Sequence, residues 1–480
     1  MIDYDSLFIG GEWVRPSSAD RIGLVSASTE EPLGSVPGAA EADVDRAVDA
    51  ARAAFDGPDG WAAWAPARRA AAMRSLADQL EARAPEMAHR VSSQNGMPIS
   101  IAGRLEGDFP VALVRYYAGL AETLPTEEER PGFLGGTTVV RREPIGVVGA
   151  IAPWNFPQVL SAFKYAPALA AGATLVLKPS PGTLLDAFLF AEAVAASDIP
   201  PGVVNLVPGG RETGAYLVAH RGLDKVAFTG STGAGRQIAE TCARLLRPVS
   251  LELGGKSAAI VLEDANLDLA QIGQDLFAAT LLNNGQTCYL STRILAPRSR
   301  YDEVVGTIAA LASSLTVGDS LDPATQLGPM ASREHRDRVE GYIAKGVGEG
   351  ARLVVGGGRP SGRDRGWFVE PTVFADVDNR STIAQEEIFG PVLSVIPYTE
   401  TDDAVRLAND SGYGLAGSVW TTDPQRGREV ANRVRTGTIG INRYTPDPHA
   451  PFGGVKDSGL GRELGPEALA AYQQVKSIFV

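Results

Sequence analysis

From Ile145 onward the chain repeats one pattern: a short run rich in Val, Ile and Leu, then a stretch with helical spacing. The runs are "IGVVGAIA" at 145–152, "ATLVLKPS" at 173–180, "GVVNLVPG" at 202–209, "KVAFTGS" at 225–231 and "SAAIVLED" at 257–264. Helical patterns such as "TLLDAFLFAEAVAAS" (183–197) and "ETGAYLVAH" (212–220) separate several of them. A strand with one face in water alternates apolar and polar residues. These runs do not, so both faces must be covered. Parallel strands joined by crossover helices give that cover, and the expected class is α/β. A second set, "RILAP", "ARLVVGG", "PVLSVIPY", "GSVWTT" and "GTIGIN", spans 293–442 and predicts a second α/β lobe. Residues 41–122 read as helical, 137–146 as extended, and the tail "QQVKSIFV" alternates like a strand.

Several classes of function are disfavoured. A formal net charge of −13 opposes nucleic acid or an anionic membrane as main partner. The most apolar region, Ile145 to Leu177, is broken by Pro153, Asn155, Pro157, Lys164 and Pro167, so it is a poor membrane span. The opening "MIDYDSLFIGGEWV" lacks the basic and apolar regions of a secretory signal. Two cysteines, Cys242 and Cys288, cannot make a disulfide framework, and a metal cluster is equally disfavoured. A reducing, cytoplasmic setting is expected, where a free thiol can be catalytic.

Cys288 stands in "NNGQTCYLSTR" (283–293), after five small or polar residues, which is unusual for a packing cysteine. "KVAFTGSTGAGRQIAETCARLL" joins a strand to a helix through Gly230, Gly233 and Gly235. Such a turn is either tight packing or an anion site at a helix start. The six-residue dinucleotide fingerprint is absent, because position 238 is Ile238. Gly255-Lys256-Ser257 matches the end of a phosphate loop, yet the required upstream glycine is Ser250. Glu252 then remains as a carboxylate beside two glycines, either at a strand end or functional. "APWNFP" holds Asn155 between aromatics and prolines, which fix the backbone. "QEEIFGPV" offers Glu387 and Phe389, and "PFGGVKDSGLGRELG" offers Phe452.

Taken in order, these motifs resemble the aldehyde dehydrogenase superfamily. The matching stretches are Trp154-Asn155-Phe156-Pro157, Lys178-Pro179-Ser180, Phe228-Thr229-Gly230-Ser231-Thr232-Gly233, Glu252-Leu253-Gly254-Gly255-Lys256, Gly285-Gln286-Thr287-Cys288, Glu387-Ile388-Phe389-Gly390-Pro391 and Pro451-Phe452-Gly453-Gly454. The likeness runs the length of the chain. It implies a Rossmann-like cofactor lobe (1–125 and 144–254), a catalytic lobe (255–445), and oligomerisation or bridging elements (126–143 and 446–480) that make a homodimer or homotetramer. It implies oxidation of an aldehyde to the acid with NAD or NADP, and no metal. Cys288 matches the nucleophile, Glu252 the general base, and Asn155 an oxyanion donor. At the cofactor the resemblance puts Lys178 on the adenosine ribose, Gly230 and Ser231 at the pyrophosphate, Glu387 on the nicotinamide ribose and Phe389 at the nicotinamide end. Trp154 and Leu253 line its path. Phe156, Leu160, Phe163, Thr287, Tyr289 and Phe452 match the aldehyde tunnel, with Arg443 near its mouth. Lys256 is given no role.

A CoA-acylating enzyme is the alternative, disfavoured by Glu252. A binding protein on the same scaffold is disfavoured by Cys288, Asn155 and Glu252 together. None of His89, His220, His335 and His449 lies in a motif, and Cys242 reads as packing. The third residue after the lysine of "KPS" is often a glutamate in the family, which favours NAD. Here it is Pro181, so both cofactors are expected. Gly182 and Thr183 follow, with no second basic residue adjoining the turn, so strict NADP specificity is not expected.

Overall fold

The computed structural model of the protein describes residues 1–480. Its first sheet has the spatial order Val204–Leu206, Thr174–Lys178, Val147–Ile151, Lys225–Thr229, Val249–Glu252, Gly459–Leu460. All neighbours are parallel except the last pair. Val147–Ile151, Thr174–Lys178 and Lys225–Thr229 are buried at every residue, as their unbroken apolar runs require. The chain builds outward from Val147–Ile151 and then returns to its other side for Lys225–Thr229. That reversal opens a crevice at the carboxyl ends of these two strands, where open α/β sheets take ligands. Helix Pro157–Ala171 follows the first strand and is buried throughout.

The second sheet has the order Arg352–Val355, Thr372–Ala375, Val392–Tyr398, Arg293–Pro297, Ala258–Val261, Gly417–Trp420, Gly440–Ile441. Only its first pair is antiparallel. Ala258–Val261 thus belongs to the second sheet, although it continues the rhythm of the first set. The fifth strand of the first sheet is Val249–Glu252 instead. Apolar composition reports that a strand is buried; it does not report which sheet buries it. Thr372–Ala375 was not legible as a strand, being four residues without a flanking helical pattern.

Glu127–Pro131 and Thr137–Pro144 form an antiparallel hairpin, and Gln473–Phe479 pairs with its second strand. The far edge of Gln473–Phe479 has no strand beside it. Val475, Ile478 and Phe479 are exposed there, and Phe133 and Leu134 are exposed at the hairpin tip. Residues 446–480 therefore divide: Gly459–Leu460 completes the first sheet, while Gln473–Phe479 completes the ribbon. No helix is long and apolar enough to cross a membrane.

Candidate active site

The segment before Cys288 is a left-handed turn. Asn283, Asn284 and Gly285 have φ of 52°, 61° and 74° in succession. Asparagine tolerates this region better than other residues with a Cβ. Gly285 is obligatory, because a Cβ there would lie 2.2 Å from Gly390. The asparagines also tie the turn down. Asn284 Nδ2 donates to the carbonyls of Gly96 and Pro329, both at 2.9 Å, and its Oδ1 accepts from Gly328 N at 2.6 Å. Asn283 Nδ2 donates to the Asn155 carbonyl at 2.9 Å.

Asn155 sits just before helix Pro157–Ala171, and its Nδ2 donates to the Gln286 carbonyl at 2.9 Å. That bond orients the amide and uses one of its two hydrogens. The Cys288 N–H donates to no group of the chain. Cys288, Asn155, Trp154, Leu160, Leu253, Glu387 and Phe389 share one cavity of about 210 Å3. Its neighbour, about 690 Å3, fills the crevice of the first sheet and carries Lys178, Pro181, Gly230 and Ser231. Both cavities include Pro153, Trp154, Thr229, Gly230 and Ser231 in their walls, so the thiol lies at the end of the crevice.

Phe389 has φ of 64°, a strained value for a bulky residue, at a cost of about 1–3 kcal/mol. His335 helps to hold it. Its Nε2 lies 2.6 Å from the Phe389 carbonyl, and its ring contacts both Trp154 and Phe389. Burial lowers the His335 pKa to about 4, so the ring is neutral at pH 7. Arg338 donates to the Glu387 carbonyl at 2.7 Å. Burial raises the Glu387 carboxyl to about 7, although its Oε1 accepts from Gly255 N at 3.0 Å.

Glu252 is the last residue of its strand. Both of its carboxylate oxygens are buried without a hydrogen-bond partner. Gly453, at φ of 151°, makes room: a Cβ there would come within 2.5 Å of Oε1. Burial first, then the charge of Glu463, hold the Glu252 carboxyl well above the usual range, against the pull of Lys164 and Arg462. Lys164 Nζ donates to Glu463 Oε1 at 2.8 Å and to Thr229 Oγ1 at 2.5 Å. Burial also pushes the Cys288 thiol up, and Glu387 and Glu252 push it further.

The expected tunnel residues are only partly gathered. Phe163, Phe452 and Tyr289 form consecutive ring contacts, with centroids 6.2 and 6.5 Å apart. Phe109 extends the series at one end and Tyr444 at the other. Leu160 is on the thiol cavity. Phe156 is buried but makes none of these ring contacts, and the Thr287 hydroxyl turns to the Leu282 carbonyl at 3.1 Å. Arg443 is exposed. Sequence reasoning missed Lys164, Glu463, His335, Phe109 and Tyr444. A lysine inside an otherwise apolar helix was a signal for the first; the others carried none. The remaining histidines stay peripheral, and Cys242 is packed in the core.

A doubly wound crevice that opens onto a half-buried thiol fits a nicotinamide-dependent oxidoreductase. The aldehyde dehydrogenase family model matches residues 13–478, and the chain belongs to that family. It is an enzyme that oxidises an aldehyde to the carboxylic acid with reduction of a nicotinamide cofactor, NAD or NADP. It is 60% identical to a geranial dehydrogenase of Castellaniella defragrans over 479 residues, covering 100% of this chain and 99% of the relative. A Mycobacterium tuberculosis aldehyde dehydrogenase complexed with NAD+ superposes with a TM-score of 0.97 at 50% identity, covering 100% of this chain and 98% of that one. A cysteine-to-alanine mutant of an aldehyde dehydrogenase from Pseudomonas syringae, complexed with NAD+ and octanal, gives 0.95 at 40% identity, covering 99% and 96%.

A base acts only when ionised, so if Glu252 serves as one, turnover falls as the pH drops through its pKa. Replacing Glu463 by Gln removes a negative neighbour and leaves Lys164 unpaired. Both changes favour the ionised form, so the acidic limb of the kcat/KM profile moves to lower pH. Lys164→Met removes a cation and moves it to higher pH. Profiles of the two variants that shift in the same direction would rule out this electrostatic account.

Proposed function

We propose that Cys288 is the nucleophile, Glu252 the base that activates water, and the Asn155 amide and Cys288 N–H the oxyanion donors. The observation that carries this reading is the meeting of a half-buried thiol, a spare amide hydrogen and an unpaired N–H on one cavity at the end of the crevice. The Cys288 sulfur attacks the carbonyl carbon. A C–S bond forms, the π pair moves to oxygen, and the thiol passes its proton to solvent water. The two donors hold the oxyanion in a water-poor site, where such bonds are strongest. The cofactor, when bound, takes the hydride released as the C=O bond re-forms. Glu252 then deprotonates a water that attacks the thioester. The C–O bond forms, the C–S bond breaks, and the sulfur recovers its proton as the acid leaves.

The crevice suits a dinucleotide. Ser231 caps helix Thr232–Arg244, its Oγ accepting from Ala234 N at 3.3 Å. A Cβ on Gly233 would project into open space, so backbone N–H groups are accessible to a diphosphate. Gly230 and Ser231 would hold that group and Lys178 the adenosine ribose. Trp154 and Leu253 would line the path, Glu387 would take the nicotinamide ribose, and Phe389 would pack at the nicotinamide end. In this reading 1–125 and 144–254 form the cofactor lobe, 255–445 the catalytic lobe, and 126–143 with the tail strand the oligomerisation ribbon. The setting is cytoplasmic, in keeping with two free cysteines.

The substrate is an apolar aldehyde of medium chain length or an aromatic one. The linked rings of Phe109, Phe163, Phe452, Tyr289 and Tyr444 contain no charged group. The relative named a geranial dehydrogenase and the Pseudomonas syringae mutant complexed with octanal support the same choice.

With aldehyde and cofactor, Cys288→Ala should show no turnover, whereas Glu252→Gln should accumulate an acyl adduct in intact-protein mass spectrometry. Undiminished steady-state turnover of Glu252→Gln would remove Glu252 from this role. On substrates, hexanal should exceed succinic semialdehyde in kcat/KM by about 100-fold or more, because an unpaired buried carboxylate costs several kcal/mol, about 1.4 per tenfold. The reverse order would refute an apolar tunnel. Light scattering should report a dimer or tetramer, and deleting 473–480 should lower the mass; a monomeric full chain would contradict the ribbon's role.

A further inference from the structure

Helix Pro157–Ala171 begins without a cap of its own. Its N-cap residue is Phe156, which has no polar side chain, and Pro157 brings no N–H. The first donor of the helix is satisfied from a distant segment: Gln158 N donates to Glu106 Oε2 at 2.7 Å. Glu106 is 1% exposed, so a carboxyl inside the core caps this helix. It is carried on a π-helical turn, Gly103–Asp108, between helices Ile99–Ala102 and Phe109–Thr123. Such turns are rare and frequent at functional sites. This one leads into Phe109, whose ring meets Phe163.

The capping carboxyl is part of a buried network. The Gln158 side chain donates to Asp186 Oδ2 at 2.6 Å, and Asp186 Oδ1 accepts from Gln94 Nε2 at 3.0 Å. Gln94 Oε1 accepts from Leu184 N and Leu185 N, both at 2.9 Å. The next residue, Asn95, donates to the carbonyls of Trp154 and Asn155. The short stretch from Asn155 to Gln158 is thus held at both ends, at the Asn155 carbonyl by Asn95 and at the Gln158 N–H by Glu106. Glu106 lines neither the thiol cavity nor the crevice, so it touches no ligand there. Any effect on the reaction has to pass through the residues it holds.

We propose that Glu106 is a positioning residue for the reaction: it fixes the first turn of helix Pro157–Ala171 and, through it, the placement of the Asn155 amide beside the Cys288 sulfur. The proposal rests on the reading of Asn155 as an oxyanion donor. Donors of this kind work only when held in place before the charge develops, and a small misplacement is costly. Burial first, and the charge of Asp186 besides, hold the Glu106 carboxyl well above the usual carboxylate range, against the Gln158 N–H. An amide is therefore a close mimic of it.

A double-mutant cycle on the full-length enzyme tests the proposal, with Glu106→Ala and Glu106→Gln made in the wild type and in Asn155→Ala. The readout is the rate of NADH formation in a single turnover with hexanal, beside NAD affinity by calorimetry. Glu106→Ala should slow that rate by about 10- to 100-fold and leave NAD affinity as in the wild type. Glu106→Gln keeps an acceptor for Gln158 N and should recover most of the loss. In the Asn155→Ala background Glu106→Ala should cost little more, because two residues acting through one interaction are not additive. If Glu106→Ala does not fold, Glu106→Asp takes its place in the cycle with the same expectations, since it withdraws the carboxyl from the helix start. An undiminished rate, a parallel loss of NAD affinity, or fully additive losses in the double variant would overturn the proposal. An undiminished rate in Asn155→Ala alone would overturn the oxyanion reading, and this proposal with it.

Discussion

The left-handed turn at Asn283, Asn284 and Gly285 is the constraint on which the site depends. Three successive residues in a sparsely populated region are held by side chains of the same residues that adopt it. Asparagine is suited twice over: it accepts the backbone conformation and carries an amide to fix its surroundings. The fixing is mutual. Asn95 Nδ2 donates to the Trp154 carbonyl at 3.0 Å and reaches that of Asn155 at 3.3 Å, Asn283 donates to the Asn155 carbonyl, and Asn155 donates to that of Gln286. This belt of amides joins a helix of the N-terminal region, a loop of the first lobe and the thiol loop of the second. Every member is buried, so an amide left unpaired would cost about 1–3 kcal/mol.

Around that belt the buried charges divide into two groups. Glu252 has no hydrogen bond and is raised by burial and by Glu463. Lys164 and Glu463 form a buried pair at 2.8 Å, and breaking such a pair typically costs about 3–5 kcal/mol. The pair is therefore a fixed feature beside Glu252, whose carboxyl burial and Glu463 hold above the usual range. That is the arrangement expected where a proton has to move.

The fold class was legible because the apolar runs are long, unbroken and separated by helical spacing. Sheet membership was not, since Val249–Glu252 and Ala258–Val261 are adjacent in sequence and lie in different sheets. Cys288, Asn155 and Phe389 stand in distinctive motifs that are far apart in sequence, and they line one cavity. Lys164, Glu463 and His335 were not singled out by the motifs, and only the packing of distant segments gives them neighbours. Phe156 and Thr287 stand within the motifs, yet one makes no ring contact with the cluster of Phe163, Phe452 and Tyr289 and the other spends its hydroxyl on a carbonyl.

The protonated state of Cys288 has a consequence in redox chemistry. Peroxides and alkylating agents attack thiolates, and an exposed thiol of low pKa is oxidised first. In this protein burial and two neighbouring carboxylates keep the resting sulfur in its thiol form. The sulfur proposed as the nucleophile is therefore shielded at rest by the same surroundings that make its activation demanding. An enzyme with no second cysteine placed to form a reversible disulfide gains from such inertness, since further oxidation of its one reactive sulfur would be permanent.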